Sequence, residues 1–383
     1  MWDTALGVAA TRGVGLVSRK EEIARTDALG RLERRRPMAK QRIAWIDVLK
    51  YFGIFSVYLG HMGTAAGPAY EFVFTYHVPL FFFIAGCMES ISSSKSASPL
   101  SNIKKYAVTI LMPFYLFAIV SIVMWALINN PKPAEVVPLL VLVAKGVVRN
   151  TFALAGVQLW FLSCLFIMHV LFELVKLLKY KWLMLVVCLV PFLVFPKPQD
   201  PPRWWYNLDG ALYYIVFFCI GYIVFPVLLS FLDGTSRRNR AIIYGSGSVA
   251  LVYAALVYFG RDPLKALAVV PVAANIVFLV RALIMIWFFI VLAYRFRHVT
   301  ALANIGRDVL YLSGSEAMMK IVVPGIATML GLKLEPQNTL FACIYVAFLL
   351  FITQRTLVPI ERRFIDAISQ RLLGGAQVIR GYL

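Results

Sequence analysis

The sequence predicts an all-α, polytopic integral membrane protein with about ten transmembrane helices. Three observations lead there. The 383 residues are 61% hydrophobic and only 15% charged, more apolar than the core of a water-soluble protein of this length requires. The apolar residues come in continuous runs such as 108–125 and 341–352, whereas a barrel strand alternates apolar and polar positions over roughly ten residues. Lysines and arginines gather in short clusters between the runs, as they do in the loops that flank membrane helices.

Residues 1–40 are polar and of mixed charge, ending in Arg34-Arg35-Arg36-Pro37. They lack the apolar centre of a signal peptide and read as a disordered basic cytoplasmic arm. Met38, followed by Lys40, Arg42 and the first apolar run, is an alternative start of translation. Residues 41–360 are the membrane domain, and 361–383 read as a short cytoplasmic tail.

Within the membrane domain the runs fall near 43–61, 71–90, 106–128, 158–177, 182–196, 210–231, 241–260, 267–294, 304–331 and 339–358. Each is bounded by charge clusters or by proline and glycine. Residues 135–149 are apolar but broken by Lys145 and Gly146, which suits an interfacial or re-entrant helix better than a full span; among the spans it counts as a loop.

Alternate loops carry the cations: Lys95, Lys104 and Lys105; Lys176, Lys179 and Lys181; Arg237, Arg238 and Arg240; Arg295 and Arg297; Arg355, Arg362 and Arg363. The opposite loops mix cations with acids, as Lys197 and Arg203 with Asp200, or Arg261 and Lys265 with Asp262. The positive-inside rule then puts both termini in the cytoplasm and makes the number of spans even.

The formal charge of +19 does not mark a nucleic-acid protein, because the cations do not line one face; anionic lipid is the counter-charge. The five cysteines lie inside apolar runs without metal-ligand spacing. They read as buried thiols, and no metal is expected. Neither a repeat of solenoid period nor a pair of inverted halves is evident.

Ionisable groups inside a span are costly and point to function. The first run holds Asp47, Lys50 and His61. Lys50 and His61 return to within about 20° of one helix face, roughly 16 Å apart along the axis. Asp47 and Lys50, three apart, are also spaced to pair with each other. His77 stands near the outer end of the second run, and His169 lies deeper in the fourth.

Arg281 interrupts the middle of the eighth run, where it should face the bundle and meet an acid or a phosphate. Glu316 and Lys320, four apart in the ninth, are spaced as an ion pair, with Arg281 as an alternative partner for Glu316. The proline-rich outer loop 195–209 presents Trp204, Trp205 and Tyr206. Gln158 and Trp160 open the fourth run on the same side. Aromatic rings there serve either an interfacial belt or stacking on sugar rings.

The first run, RIAWIDVLKYFGIFSVYLGH, carries Lys50, ten intervening residues and His61. That spacing resembles the signature of the membrane acyltransferase-3 family. YHVPLFFFIAGCMES in the second run is similar to that family's Pro-Leu-Phe-Phe-Phe-Ile-Ser-Gly stretch, with Ala85 in place of the serine. QLWFLSCLF at 158–166 resembles its Trp-Phe-Leu element, and Asn304-Ile305-Gly306-Arg307 resembles the start of its ninth span. Many members continue with Tyr-Leu and a histidine. This chain has Tyr311-Leu312 followed by Ser313-Gly314-Ser315.

The resemblance implies transfer of an acyl group, usually acetyl, from a cytoplasmic acyl-CoA to a hydroxyl of a glycan or lipid-linked glycan. It is closest to the stand-alone O-acetyltransferases that modify exopolysaccharides, the fucose O-acetylase-like members, in the bacterial inner membrane. An imidazole accepts the proton of an attacking hydroxyl near neutral pH, so His61 is the candidate base, with His77 as a second. Asp47 is a candidate to orient or polarise a neighbour. Lys50 and Arg281 are candidates for the phosphates of acetyl-CoA, and Gln158, Trp160, Trp204, Trp205 and Glu316 for the acceptor. A secondary transporter using the same buried charges is the alternative.

Overall fold

Prolines mark where many helices begin, because a first-turn proline gives up an N–H that has no intrahelical partner. Pro68, Pro99, Pro133, Pro271 and Pro359 all occupy such positions. The computed structural model describes residues 43–92, 98–147, 156–198, 204–234, 236–332 and 336–373, without the side chains of 156–158 and 317. The expected N-terminal arm lies outside them. No strand occurs among the described residues.

In chain order the helices are α1 (Ala44–Gly60), α2 (Pro68–Val73), α3 (His77–Ser92), α4 (Pro99–Tyr106), α5 (Met112–Asn129), α6 (Pro133–Ala144), α7 (Gly156–Val175) and α8 (Lys181–Val194). There follow α9 (Leu208–Asp233), α10 (Arg237–Tyr258), α11 (Pro271–Arg295), α12 (Thr300–Arg307), α13 (Val309–Met329), α14 (Thr339–Thr356) and α15 (Val358–Leu372). A π-helical turn, Ala107–Leu111, joins α4 to α5. It absorbs Pro113, which has no N–H to return to the preceding turn.

Each expected span coincides with helix. Six helical stretches among the described residues are long and apolar enough to cross a membrane: 68–92, 99–129, 205–233, 237–258, 271–295 and 339–356. A seventh is the bent helix α13; α1, α8 and the stretch Leu159–Val175 of α7 are shorter.

Large apolar side chains point outward along these helices, among them Leu127, Val227, Val249 and Phe351. Asp47, Lys50, His77, Glu89, His169, Glu173 and Glu316 are buried inside. An apolar exterior around a polar interior is the arrangement that lipid, and not water, favours.

Two crossings depend on glycine. A Cβ at Gly86 would strike the Phe218 carbonyl and one at Gly221 the Phe83 carbonyl, so α3 and α9 approach backbone to backbone. Close approach replaces hydrophobic driving force where the solvent is itself apolar. Gly306 of α12 likewise abuts the Asp47 carbonyl of α1.

The segment 135–149, expected as an interfacial or re-entrant helix and not counted as a span, is helical as far as Ala144, the end of the twelve-residue α6; Pro138 sits inside it, and its side chains are mostly exposed. Residues 361–372 of the expected C-terminal tail belong to the helix α15, and 374–383 lie outside the described residues. Arg362 pairs with Asp308, Tyr311 donates to Asp366 at 3.1 Å, and Ser315 Oγ lies 2.8 and 2.9 Å from the two oxygens of Glu361. Its Ile365 and Ser369 are buried, which turns an amphipathic segment into a clamp on α13.

Candidate active site

His61 extends α1 by one residue, its N–H reaching the Val57 carbonyl at 3.0 Å. Its side chain leaves the helix end toward α13, and there Nδ1 lies 3.0 and 3.1 Å from the two oxygens of Glu316. Glu316 has no exposed surface, while His61 keeps 17%. Lys320, one turn further along α13, closes on the same carboxylate at 2.5 Å, as the four-residue spacing predicts. Its ammonium also reaches the Tyr58 carbonyl at 3.3 Å and stands 5.6 Å from the Tyr58 ring. Tyr58 in turn donates to the Leu312 carbonyl at 2.8 Å, stitching α1 to α13.

This geometry fixes the imidazole electronically. A carboxylate only accepts, so Nδ1 carries the hydrogen toward Glu316 and the basic lone pair sits on Nε2. The ammonium of Lys320 keeps the carboxylate charge from being uncompensated in a dry interior. An acid that orients a histidine, with the other nitrogen left to move a proton, is the recurring arrangement of general-base catalysis.

α13 bends by 59° between Val309–Glu316 and Met318–Met329, with Glu316 at the end of the first limb. Ser315 lies 2.6 Å from the Tyr311 carbonyl, a back-bond of the kind that bends helices. The bend therefore sits where the acid must project.

The other sequence candidates fall in several places. His77 is buried, donates from Nδ1 to the Val73 carbonyl at 2.7 Å, and lies within electrostatic reach of His61, Glu316 and Lys197. Asp47 is at the opposite end of α1 from His61, with Arg307 Nε at 3.3 Å. It cannot touch His61, since fourteen residues of helix rise about 21 Å. Lys50 is buried one turn beyond Asp47.

Arg281 does not meet Glu316. It holds Asp262 at 2.9 Å, which also accepts from Tyr253 at 3.1 Å. The alternative Glu316–Arg281 pairing is thus corrected: Glu316 is taken by His61 and Lys320. Trp160 is buried against Gly210 and Phe161, as a helix-packing residue would be. Trp204 and Trp205 are exposed, 42% and 65%, at a turn pinned to Lys145–Gly146 by Tyr206 and Asn207. The Gln158 side chain lies outside the described residues.

His169 belongs to a second buried cluster. It stacks on Tyr106 at 4.2 Å and lies 3.5 Å from Glu89, whose carboxylate also takes Tyr106 at 2.8 Å and Lys176 at 2.8 Å. Glu173 joins through Lys176 at 2.6 Å and Asn102 at 3.0 Å. These contacts tie α3, α4 and α7 together. Among the described residues no group of three or more His, Cys, Asp and Glu is placed to hold a metal ion.

Sequence spacing brings out Lys50 and His61 because they share a helix. It does not bring out the His61–Glu316 contact, which joins residues 255 apart, nor that of Asp47 with Arg307. No curated protein and no solved structure matches the chain. The model of an acyltransferase domain matches residues 43–353, most of the 383, and that span contains His61, Glu316 and Lys320 together. The chain belongs to the acyltransferase-3 family of membrane acyltransferases.

Proposed function

We propose that the protein is an O-acyltransferase that moves an acetyl or similar acyl group from acyl-CoA to a hydroxyl of a glycan or lipid-linked glycan, an exopolysaccharide precursor, at the bacterial inner membrane. The observation that carries the reading is the contact of His61 Nδ1 with the fully buried Glu316 at 3.0 Å. Nε2 of His61 accepts the proton of the acceptor hydroxyl as its oxygen bonds to the thioester carbonyl carbon. The C–S bond then breaks, and the imidazolium returns the proton to the departing thiolate. Glu316 orients the ring and balances the positive charge that appears on it.

Donor phosphates suit the end of the bundle where α1 begins. Lys50 is buried there and Arg307 stands beside Asp47. Arg281, held by Asp262, is the weaker candidate of the two that the sequence suggested for the donor. The aromatic turn with Trp204 and Trp205, on the side where α1 ends, offers faces on which acceptor sugars stack.

A double-mutant cycle in kcat on reconstituted protein, with acetyl-CoA and a glycan acceptor, tests the pair. His61→Ala and Glu316→Gln are each expected to cost about a hundredfold or more, and the double mutant little beyond the worse single one. Independent, additive losses would separate Glu316 from the histidine's work.

A further inference from the structure

Glu361 is the first acidic residue of α15, outside the span candidates. Both its oxygens lie on Ser315 Oγ, at 2.8 and 2.9 Å. Ser315 is the immediate neighbour of Glu316 and the residue whose back-bond accompanies the bend in α13. The charges of Glu316 and Glu361 both reach Tyr58, on the α1 turn next to His61. We propose that Glu361 is a positioning residue for the His61–Glu316 pair: seated on Ser315, it holds the first limb of α13 in the register that points Glu316 at His61. The inference rests on reading that pair as the reacting centre.

Hydrogen counting says which form of Glu361 holds best. Ser315 has one hydroxyl hydrogen and two acceptors, the Tyr311 carbonyl at 2.6 Å and the Glu361 carboxyl. When the carboxyl is protonated it donates to Ser315 Oγ while Ser315 donates to Tyr311, so both contacts are made. When it is ionised, Ser315 must turn to the carboxylate and release Tyr311. Burial pushes the Glu361 carboxyl up to about 7, against the lowering effect of the Ser315 bond. The neutral form therefore prevails on the acid side of neutrality.

The surrounding charges are engaged elsewhere. On α15 itself Arg362 pairs with Asp308 and Asp366 accepts from Tyr311. On α14 Gln354 also binds Asp308, while Arg355 lies over the Phe351 ring. On α13 Glu316 is held by Lys320 and His61. The π-helical turn 107–111 packed on α15 has no ionisable side chain.

The test is the pH profile of kcat and both KM values for wild type, Glu361→Gln and Glu361→Ala, reconstituted with acetyl-CoA and a glycan acceptor. An infrared titration of the protonated-carboxyl band accompanies it. Wild-type kcat should fall above about pH 7 as Glu361 ionises. Glu361→Gln, whose amide still donates to Ser315, should retain activity and lose the alkaline fall. Glu361→Ala should lose about tenfold or more in kcat with little change in either KM.

An unchanged alkaline limb in Glu361→Gln, or an effect of Glu361→Ala confined to KM, would overturn the proposal. If wild type transfers no acyl group, the acyltransferase reading fails separately, and the infrared arm decides the seat. A carboxyl band lost near pH 7 in wild type and missing from Glu361→Gln supports it. Ionisation complete by about pH 5 contradicts it.

Discussion

At the scale of residues, three side chains divide the labour of the proposed reaction: His61 moves a proton, Glu316 aims it, and Lys320 makes a buried carboxylate tolerable. Removing the ammonium without removing the acid leaves an uncompensated charge in the interior, a change that typically costs about 3–5 kcal/mol. Lys320→Met should therefore lower the unfolding temperature of the detergent-solubilised protein, and the double variant Lys320→Met/Glu316→Gln should recover part of that loss; equal melting of the two would argue against the pairing. Lys50 and His61 are legible in sequence because one helix carries both, and helical geometry alone fixes their relation. Glu316 is legible as a buried charge but not as the partner of His61, since nothing local links residues that meet only when α1 and α13 pack. Asp47 shows the same limit from the other side: its short spacing suggests Lys50 as a local partner, while Arg307, which the folded chain also brings to it, is 260 residues away and has no local signal.

At the scale of elements, α12, α13 and α15 act as one support for the site. Gly306 lets α12 lie on the α1 backbone at Asp47. A branched side chain there would force the two helices apart, so Gly306→Val is expected to reduce folded yield or melting temperature sharply and to abolish activity, read by size-exclusion chromatography and transfer assay together. Gly63, with nothing near its would-be Cβ but a positive φ, should respond through backbone strain alone and more mildly. For α15, ionisation of Glu361 has a defined sign. Its folded-state value, about 7, stands above the ordinary 4.5, so the folded protein holds the proton more tightly. Its contribution is fully present below about 4.5 and declines as pH rises through 7. Melting curves should show that decline flattened in Glu361→Gln.

The apolar runs that became spans were legible because a membrane helix announces itself within some twenty residues. α15 reads as a tail because Glu361, Arg362, Arg363, Asp366 and Arg371 outweigh its apolar stripe; its buried Ile365 and Ser369 follow a helical period. Lys145 and Gly146 mark α6 as too interrupted for a span, and it is a twelve-residue helix that tolerates Pro138.

At the scale of the whole molecule, the site joins chemistry that belongs to two ends of a bundle. Lys50 and Arg307 lie where α1 begins, His61 and the Trp204–Trp205 turn where it ends. In the proposed orientation, which the positive-inside pattern suggests, the first end faces the cytoplasm. Single cysteines placed at Arg363 and at Trp205 in an otherwise cysteine-free protein should then react with a membrane-impermeant maleimide from opposite sides, Trp205 from outside and Arg363 only after the membrane is opened. Labelling of both from one side would break the assignment and with it the route proposed for the acyl group.

The central claim is that this bundle transfers an acyl group with His61 as its base. The direct measurement is incorporation of radiolabelled acetyl from acetyl-CoA into the glycan or lipid-linked glycan fraction of membranes holding wild type or His61→Ala at matched abundance. The account predicts label with wild type and a loss of about a hundredfold or more with the variant. Transfer that survives His61→Ala unchanged would contradict it.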